Sequence, residues 1–277
     1  MGNREVLSNM GATRVNAIAF GILTGLAGME HGFFEMLQGS VAPSGVVIEA
    51  IGPSQRFWEL GTEPAMTVVP DFLVTGIPAM IVGLAIILWS SAFVQKRYGA
   101  HVLAILTVML LLFGGGFAPI GSGVVAIIVA TRINKPLTWW GTHLPVSIRG
   151  FLASSWKWSL VICAAGYLFC IVSAIFGWPL LLFFDAGTTN DILLVTGLGV
   201  LVLMLYVIPA GFAYDIEKKG RITPNSLDER RARTIRGSPT GGSLRIVSLA
   251  GRGLLLVNQA SRRRHNWHPG LGERRRP

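Results

Sequence analysis

Cysteine and charge are both scarce in this chain. Two cysteines occur in 277 residues, and charged residues make up only 14% of them. The cysteines exclude a disulfide framework. Cys163 and Cys170 fall on one predicted helix, about 10 Å apart along its axis, beyond the reach of an S–S bridge. They read as small core residues. The low charge excludes an ordinary soluble domain, which carries about 25%. Signature motifs are missing too: no phosphate loop with its lysine, no HExxH, no GxSxG, no CxxC, no TVGYG-like filter. No nucleophile-and-base pairing is present either. No cofactor is implied, and an enzyme has only one acid–histidine group in its favour.

What the chain has instead is apolar length. Hydrophobic residues make up 51% of it, with a mean hydropathy of +0.55. A helix crossing a hydrocarbon core needs about 20 mostly apolar residues. Four runs meet that requirement: 15–37, 72–94, 157–178 and 192–213. None has the hydrophilic stripe of a soluble amphipathic helix. Within lipid each backbone amide must be satisfied inside its own segment, so the runs are expected to be helices.

A fifth run, 101–131, carries no formal charge and is too long for one upright span. At its centre Gly114, Gly115 and Gly116 are followed by Pro119, a cluster that favours a break or turn. The expectation is two short helices, about 101–115 and 118–132, crossing a thinned bilayer or forming a re-entrant hairpin. The basic residues point the same way. Arg4 and Arg14 precede the first run, Lys96 and Arg97 follow the second, and Arg132, Lys135, Arg149 and Lys157 lie between the fifth run and the next. The connections 38–71 and 179–191 share Arg56 alone. The positive-inside rule then places both termini in the cytoplasm, provided the broken run returns to the side where it began. The fold class is therefore all-α, a polytopic transmembrane bundle of about six membrane segments, four full-length plus the broken pair within 101–132. A multi-pass protein of the cell membrane follows, with the bacterial cytoplasmic membrane as the default because no eukaryotic targeting signal is evident.

A boundary is placed at 214/215. Residues 1–214 carry nine charges of each sign, whereas 215–277 hold fifteen basic and five acidic residues and account for the net charge of +10. Thirteen of those fifteen are Arg, and Trp267 is the tail's only aromatic residue. That composition suggests a disordered cytoplasmic tail attracted to anionic lipid headgroups. An apolar stretch at 244–258 suits a membrane surface. Nucleic acid is the least favoured partner, for want of interleaved aromatics.

The first run carries the most suggestive residues. Gly21, Gly25, Gly28 and Gly32 share one helical face and allow close approach of a second helix, within the chain or in another copy. Beyond them come Glu30, His31 and Glu35, with His31 and Glu35 one turn apart. An ionisable residue at membrane depth is a functional candidate, so these residues are read as a cation or proton site. The alternative is that the helix ends near Gly28 and the acids sit in water. Asp71 is grouped with them, and with Glu59 and Glu63, as an acidic outer vestibule. FWEL, at 57–60, is read as a short interfacial helix. Two functions remain. One is transport or sensing of a small solute or cation. The other is a non-transporting accessory or scaffold subunit that binds a partner through the first helix.

Overall fold

A computed structural model describes residues 10–236, and side chains as far as residue 220. The chain divides into two units, residues 1–230 and 231–277, and the second is described only to Arg236. The expectations for 237–277, including lipid attraction of the arginine clusters and the apolar stretch at 244–258, lie outside the described residues.

The described residues form seven α-helices and one small hairpin. In order these are α1 (Ala12–Leu37), β1 (Val47–Glu49), β2 (Pro64–Met66), α2 (Phe72–Ala92), α3 (Gly99–Leu112), α4 (Phe117–Ala130), α5 (Thr138–His143), α6 (Val146–Phe176) and α7 (Ala186–Arg236), with a 3-10 turn at Leu180–Leu182. Four helices are long and apolar enough to cross a membrane: α1, α2, α6 and α7 through residue 220. α1 is the central one, with 61% of its most apolar window buried against 17% for α7. Much of the outer surface of α6 and α7 is apolar and exposed, including Val161, Ile162, Leu198, Val202 and Leu205. That surface suits contact with lipid.

α1 and α2 approach closely because glycine faces glycine. A Cβ at Gly32 would lie 2.7 Å from the Gly76 carbonyl, and one at Gly83 would lie 2.8 Å from the Gly25 carbonyl. A Cβ at Gly21 would run into Ser90, and one at Gly28 would reach 2.5 Å from Leu110 of α3. This is small-residue packing of the membrane type. It takes place within the chain, so the glycine face of α1 is already covered and an oligomer through it would have to displace α2. Asn16 supplies polar glue near the start of α1. Its amide donates to the Val207 carbonyl at 2.9 Å and accepts from Trp156 Nε1 at 2.8 Å, tying α1 to α7 and α6.

The broken run contains two 14-residue helices, α3 and α4, each about 21 Å long. They pack on one another. The Asn134 side-chain amide, after α4, donates to the Gln95 carbonyl, before α3, at 3.4 Å. The chain therefore comes back to the end it left. The break itself spans 113–116 rather than 114–119. Gly114 and Gly116 take positive φ values of 88° and 77°, which glycine adopts without a Cβ penalty. Pro119 lies inside the first turn of α4, where its missing N–H costs nothing. The glycines make the turn, and the proline starts the next helix.

Three expectations change at helix ends. α6 begins at Val146, eleven residues before the start of the apolar run read at 157. Hydropathy marks the lipid-facing part of a helix and not its polar first turns, which Arg149 fixes by pairing with Glu217 at 2.6 Å. The last helix runs past 214 without interruption. Asp215 is buried and caps α1, accepting from Ala12 N at 2.6 Å, Thr13 N at 2.9 Å and Thr13 Oγ1 at 2.6 Å. FWEL at 57–60 forms bends and turns instead of a helix, because Trp58 is held by its indole N–H donating to the Ala174 carbonyl at 2.8 Å.

Gly25→Leu is expected to wedge α1 from α2 and lower stability by about 1–3 kcal/mol, read as thermal unfolding in detergent. Gly197→Leu, at an α7 position whose added Cβ meets nothing within 4 Å, is the control and should leave the midpoint nearly unmoved.

Candidate functional site

The residues that converge come from three segments. α1 remains helical through Leu37, so Glu30, His31 and Glu35 stay on helical backbone. Helix spacing turns His31 and Glu35 inward, to 1% and 0% exposure. The reading in which α1 ends near Gly28 and the acids are wet is therefore corrected. The closely packed α1–α2 pair is what carries this part of α1 inside.

The second segment is the glycine break. A Cβ at Gly114 would collide with the Glu35 carboxyl, and one at Gly116 would collide with the His31 imidazole. The break thus lies directly on the polar residues of α1, and only glycine fits there. It also leaves the N-terminus of α4 beside the cluster, with Gly116 as its cap. The positive end of that helix dipole lowers the cost of nearby carboxylate charge.

The third segment is the long connection 38–71, which folds into the hairpin β1–β2 with Ile48, Ala50, Ala65 and Phe72 as a small core. Glu63, just ahead of β2, reaches His31. The rest of the hairpin satisfies the broken helix. Gly114 N donates to the Met66 carbonyl at 2.8 Å, and Val68 N donates to the Leu112 carbonyl at 3.0 Å. Non-helical backbone at membrane depth must find such partners in protein.

In the assembled site the His31 ring lies between two carboxylates. Nδ1 is 2.9 Å from Glu30 Oε2, and Nε2 is 2.9 Å from Glu63 Oε2. Nδ1 also lies 2.9 Å from the Ala27 carbonyl. A carbonyl only accepts, so Nδ1 carries a proton, and Nε2 faces the Glu63 carboxylate. Glu30 Oε1 and both oxygens of Glu35 are buried without a hydrogen-bond partner among the described residues. Three such atoms in one place are a departure from the normal satisfaction of buried polar groups. Each carries a desolvation cost that a proton or a bound cation would offset. Glu30, His31 and Glu63 place one ligand atom each within 4.8 Å of one another, near enough for a metal ion. The chemistry open to this arrangement is proton exchange or cation ligation. There is no activated nucleophile in it.

Inward of the cluster lies a layer of hydroxyls. Thr24 Oγ1 is 2.8 Å from Ser122 Oγ, which is 3.3 Å from Tyr167 Oη. On the outer side Glu30 and Glu63 keep 16% and 13% side-chain exposure, which makes them the least buried members of the cluster.

Asp71 does not join the site. It is the N-cap of α2, accepting from Val74 N at 3.0 Å and from the Ser40 hydroxyl at 2.6 Å. The Ser40 hydroxyl and the Val74 amide hold its carboxyl below the usual range. That stabilisation is present above the pKa of the unfolded carboxyl and is lost as the pH falls through the lowered folded value. Glu63 takes the place assigned to Asp71. The signal that could have found it is the length of the 38–71 connection, too long for a plain loop, with apolar residues enough to fold back. Compared with protein-family models, with curated proteins and with solved structures, the chain matches none.

Gly114→Ala is expected to destabilise the protein by about 2 kcal/mol or more, from the left-handed backbone and the collision with Glu35. The measurement is thermal unfolding of Gly114→Ala beside Gly121→Ala, whose added Cβ meets nothing within 4 Å.

Proposed function

We propose that this chain is a multi-pass membrane protein that moves or senses a small cation, the proton before any other, at Glu30, His31, Glu35 and Glu63. The observation that carries this reading is a His31 imidazole set between two carboxylates, beside a buried Glu35 carboxyl with no hydrogen-bond partner among the described residues, all beneath the glycine break. Ionisable residues at membrane depth are expensive and mark ion or proton pathways. A folded chain that encloses several of them, with glycines at the two positions where a side chain would collide, is organised around their charge. The proton is favoured over a metal by the ring geometry. Glu30 and Glu63 approach opposite nitrogens of His31, and a metal ion can take only one of those nitrogens.

The proposal includes the threading. The end of the bundle with Lys96, Arg97, Arg132 and Lys135 faces the cytoplasm, and α3 with α4 forms a hairpin that enters from that face and returns to it. The alternative is an accessory or scaffold subunit, for which the glycine face of α1, packed on α2 and α3 within the chain, offers no support.

Flux or pH response of the purified chain in proteoliposomes, followed with an entrapped pH dye, tests the function. Glu30→Gln should reduce the proton signal by tenfold or more, as loss of a proton carrier does. Unchanged flux removes Glu30 from the mechanism. Threading has its own test. In a background with Cys163→Ala and Cys170→Ala, Lys96→Cys and Arg132→Cys are each treated with an impermeant thiol reagent. Both are expected to react from the same side, and reaction from opposite sides ends the hairpin model.

A further inference from the structure

The opposite end of the bundle has a cavity of about 590 Å³ between the start of α1, the turn after α4 and the inner part of α7. Arg14, Arg132 and Lys135 line it, with Lys218, Lys219 and the Asp215 carboxylate on the α7 side. That carboxylate is already committed, since both of its oxygens accept from the first residues of α1. Arg14 Nε is buried and has no hydrogen-bond partner among the described residues. Concentrated positive charge in a concave site repels itself, and an anion held there removes the repulsion.

We infer that this cavity binds a phosphate ester. Guanidinium forks match phosphate oxygens in pairs, and lysine adds point charge. Arg14, Arg132 and Lys135 come from two separate segments that meet at the cavity, so they address one ligand from different sides. The volume is that of a site for a whole small molecule rather than for a bare ion, and Ile133 and Leu137 give it apolar wall. The phosphate sits on the cations and the organic body rests against those two side chains. A soluble phosphate ester and an anionic lipid headgroup share this chemistry, and the experiment separates them. A merely basic membrane face would attract anions diffusely, with each exposed cation counting alike. A built cavity makes the cations that line it count for more than those beside it.

The test is isothermal titration of glycerol 3-phosphate, at constant ionic strength, into the full chain in phosphatidylcholine nanodiscs. Two variants remove the same charge. Arg132→Gln with Lys135→Gln acts inside the cavity, and Lys96→Gln with Arg97→Gln acts on the same end of the bundle but outside it. All four residues are exposed, so folding is preserved, and the thermal midpoint checks that. The expected result is binding by the unaltered chain, about tenfold weaker binding by the cavity variant, and unchanged binding by the other. Repeating the titration in phosphatidylglycerol nanodiscs identifies the source. Loss of the signal there means that a lipid headgroup already fills the cavity, and retention means a soluble ester; both agree with the inference. Absence of binding by the unaltered chain in phosphatidylcholine, or equal weakening in both variants, overturns it.

Discussion

Everything in this structure depends on enclosing the Glu35 carboxyl and the His31 imidazole in protein at a depth where lipid cannot solvate them. A charged or polar side chain facing hydrocarbon has no partner, so the chain must bring backbone and other polar groups to it. Three features serve that end. Glycines let α1 and α2 touch along their backbones. Glycines at the break let the chain cross directly over the two side chains. The hairpin then closes the outer side and pairs with the amides that the break exposes. None of the three makes structural sense alone. The break would leave unpaired backbone without the hairpin, and the hairpin would have little to rest on without the break.

The helices were legible in the sequence because hydropathy over about 20 residues reports directly on the bilayer. The broken run was legible as a turn because three consecutive glycines have few other uses. Helix ends were less so. The polar first turns of α6 and the continuation of α7 past 214 are held by Arg149–Glu217 and by Asp215 on the start of α1, contacts between residues far apart in the chain. The same cause explains the exchange of Asp71 for Glu63. Both are acids in one long connection, and only the pairing of β1 with β2 decides which of them turns toward His31. Asp71, one residue before α2, took the local role of a cap, which sequence neighbours are enough to specify.

The two ends of the bundle carry opposite charge. Glu30, Glu35 and Glu63 gather beneath the hairpin, and Arg14, Arg132 and Lys135 gather at the end marked by Asp215. A gradient of this kind attracts cations toward one end and anions toward the other. It also opposes the exit of a cation through the basic end. Sensing needs only the first end, because a group that titrates in the cluster can alter packing at the break without any ion crossing. Transport needs the second end as well, and there an anion bound in the cavity would lower the opposing charge.

The packing inward of the cluster separates one cation from another. Thr24, Ser122 and Tyr167 touch through their hydroxyls, with Thr107 nearby and Phe20, Leu103 and Leu110 buried around them. A metal ion of any kind would have to part these side chains and replace its water with too few oxygens, since each hydroxyl here already serves a neighbour. A proton needs no such opening. On the proposed reading a hydroxyl could relay a proton by rotating, which leaves the surrounding side chains where they are. Close packing of this kind is what the proposed function would need if the proton is the cation concerned, because a proton requires no pore.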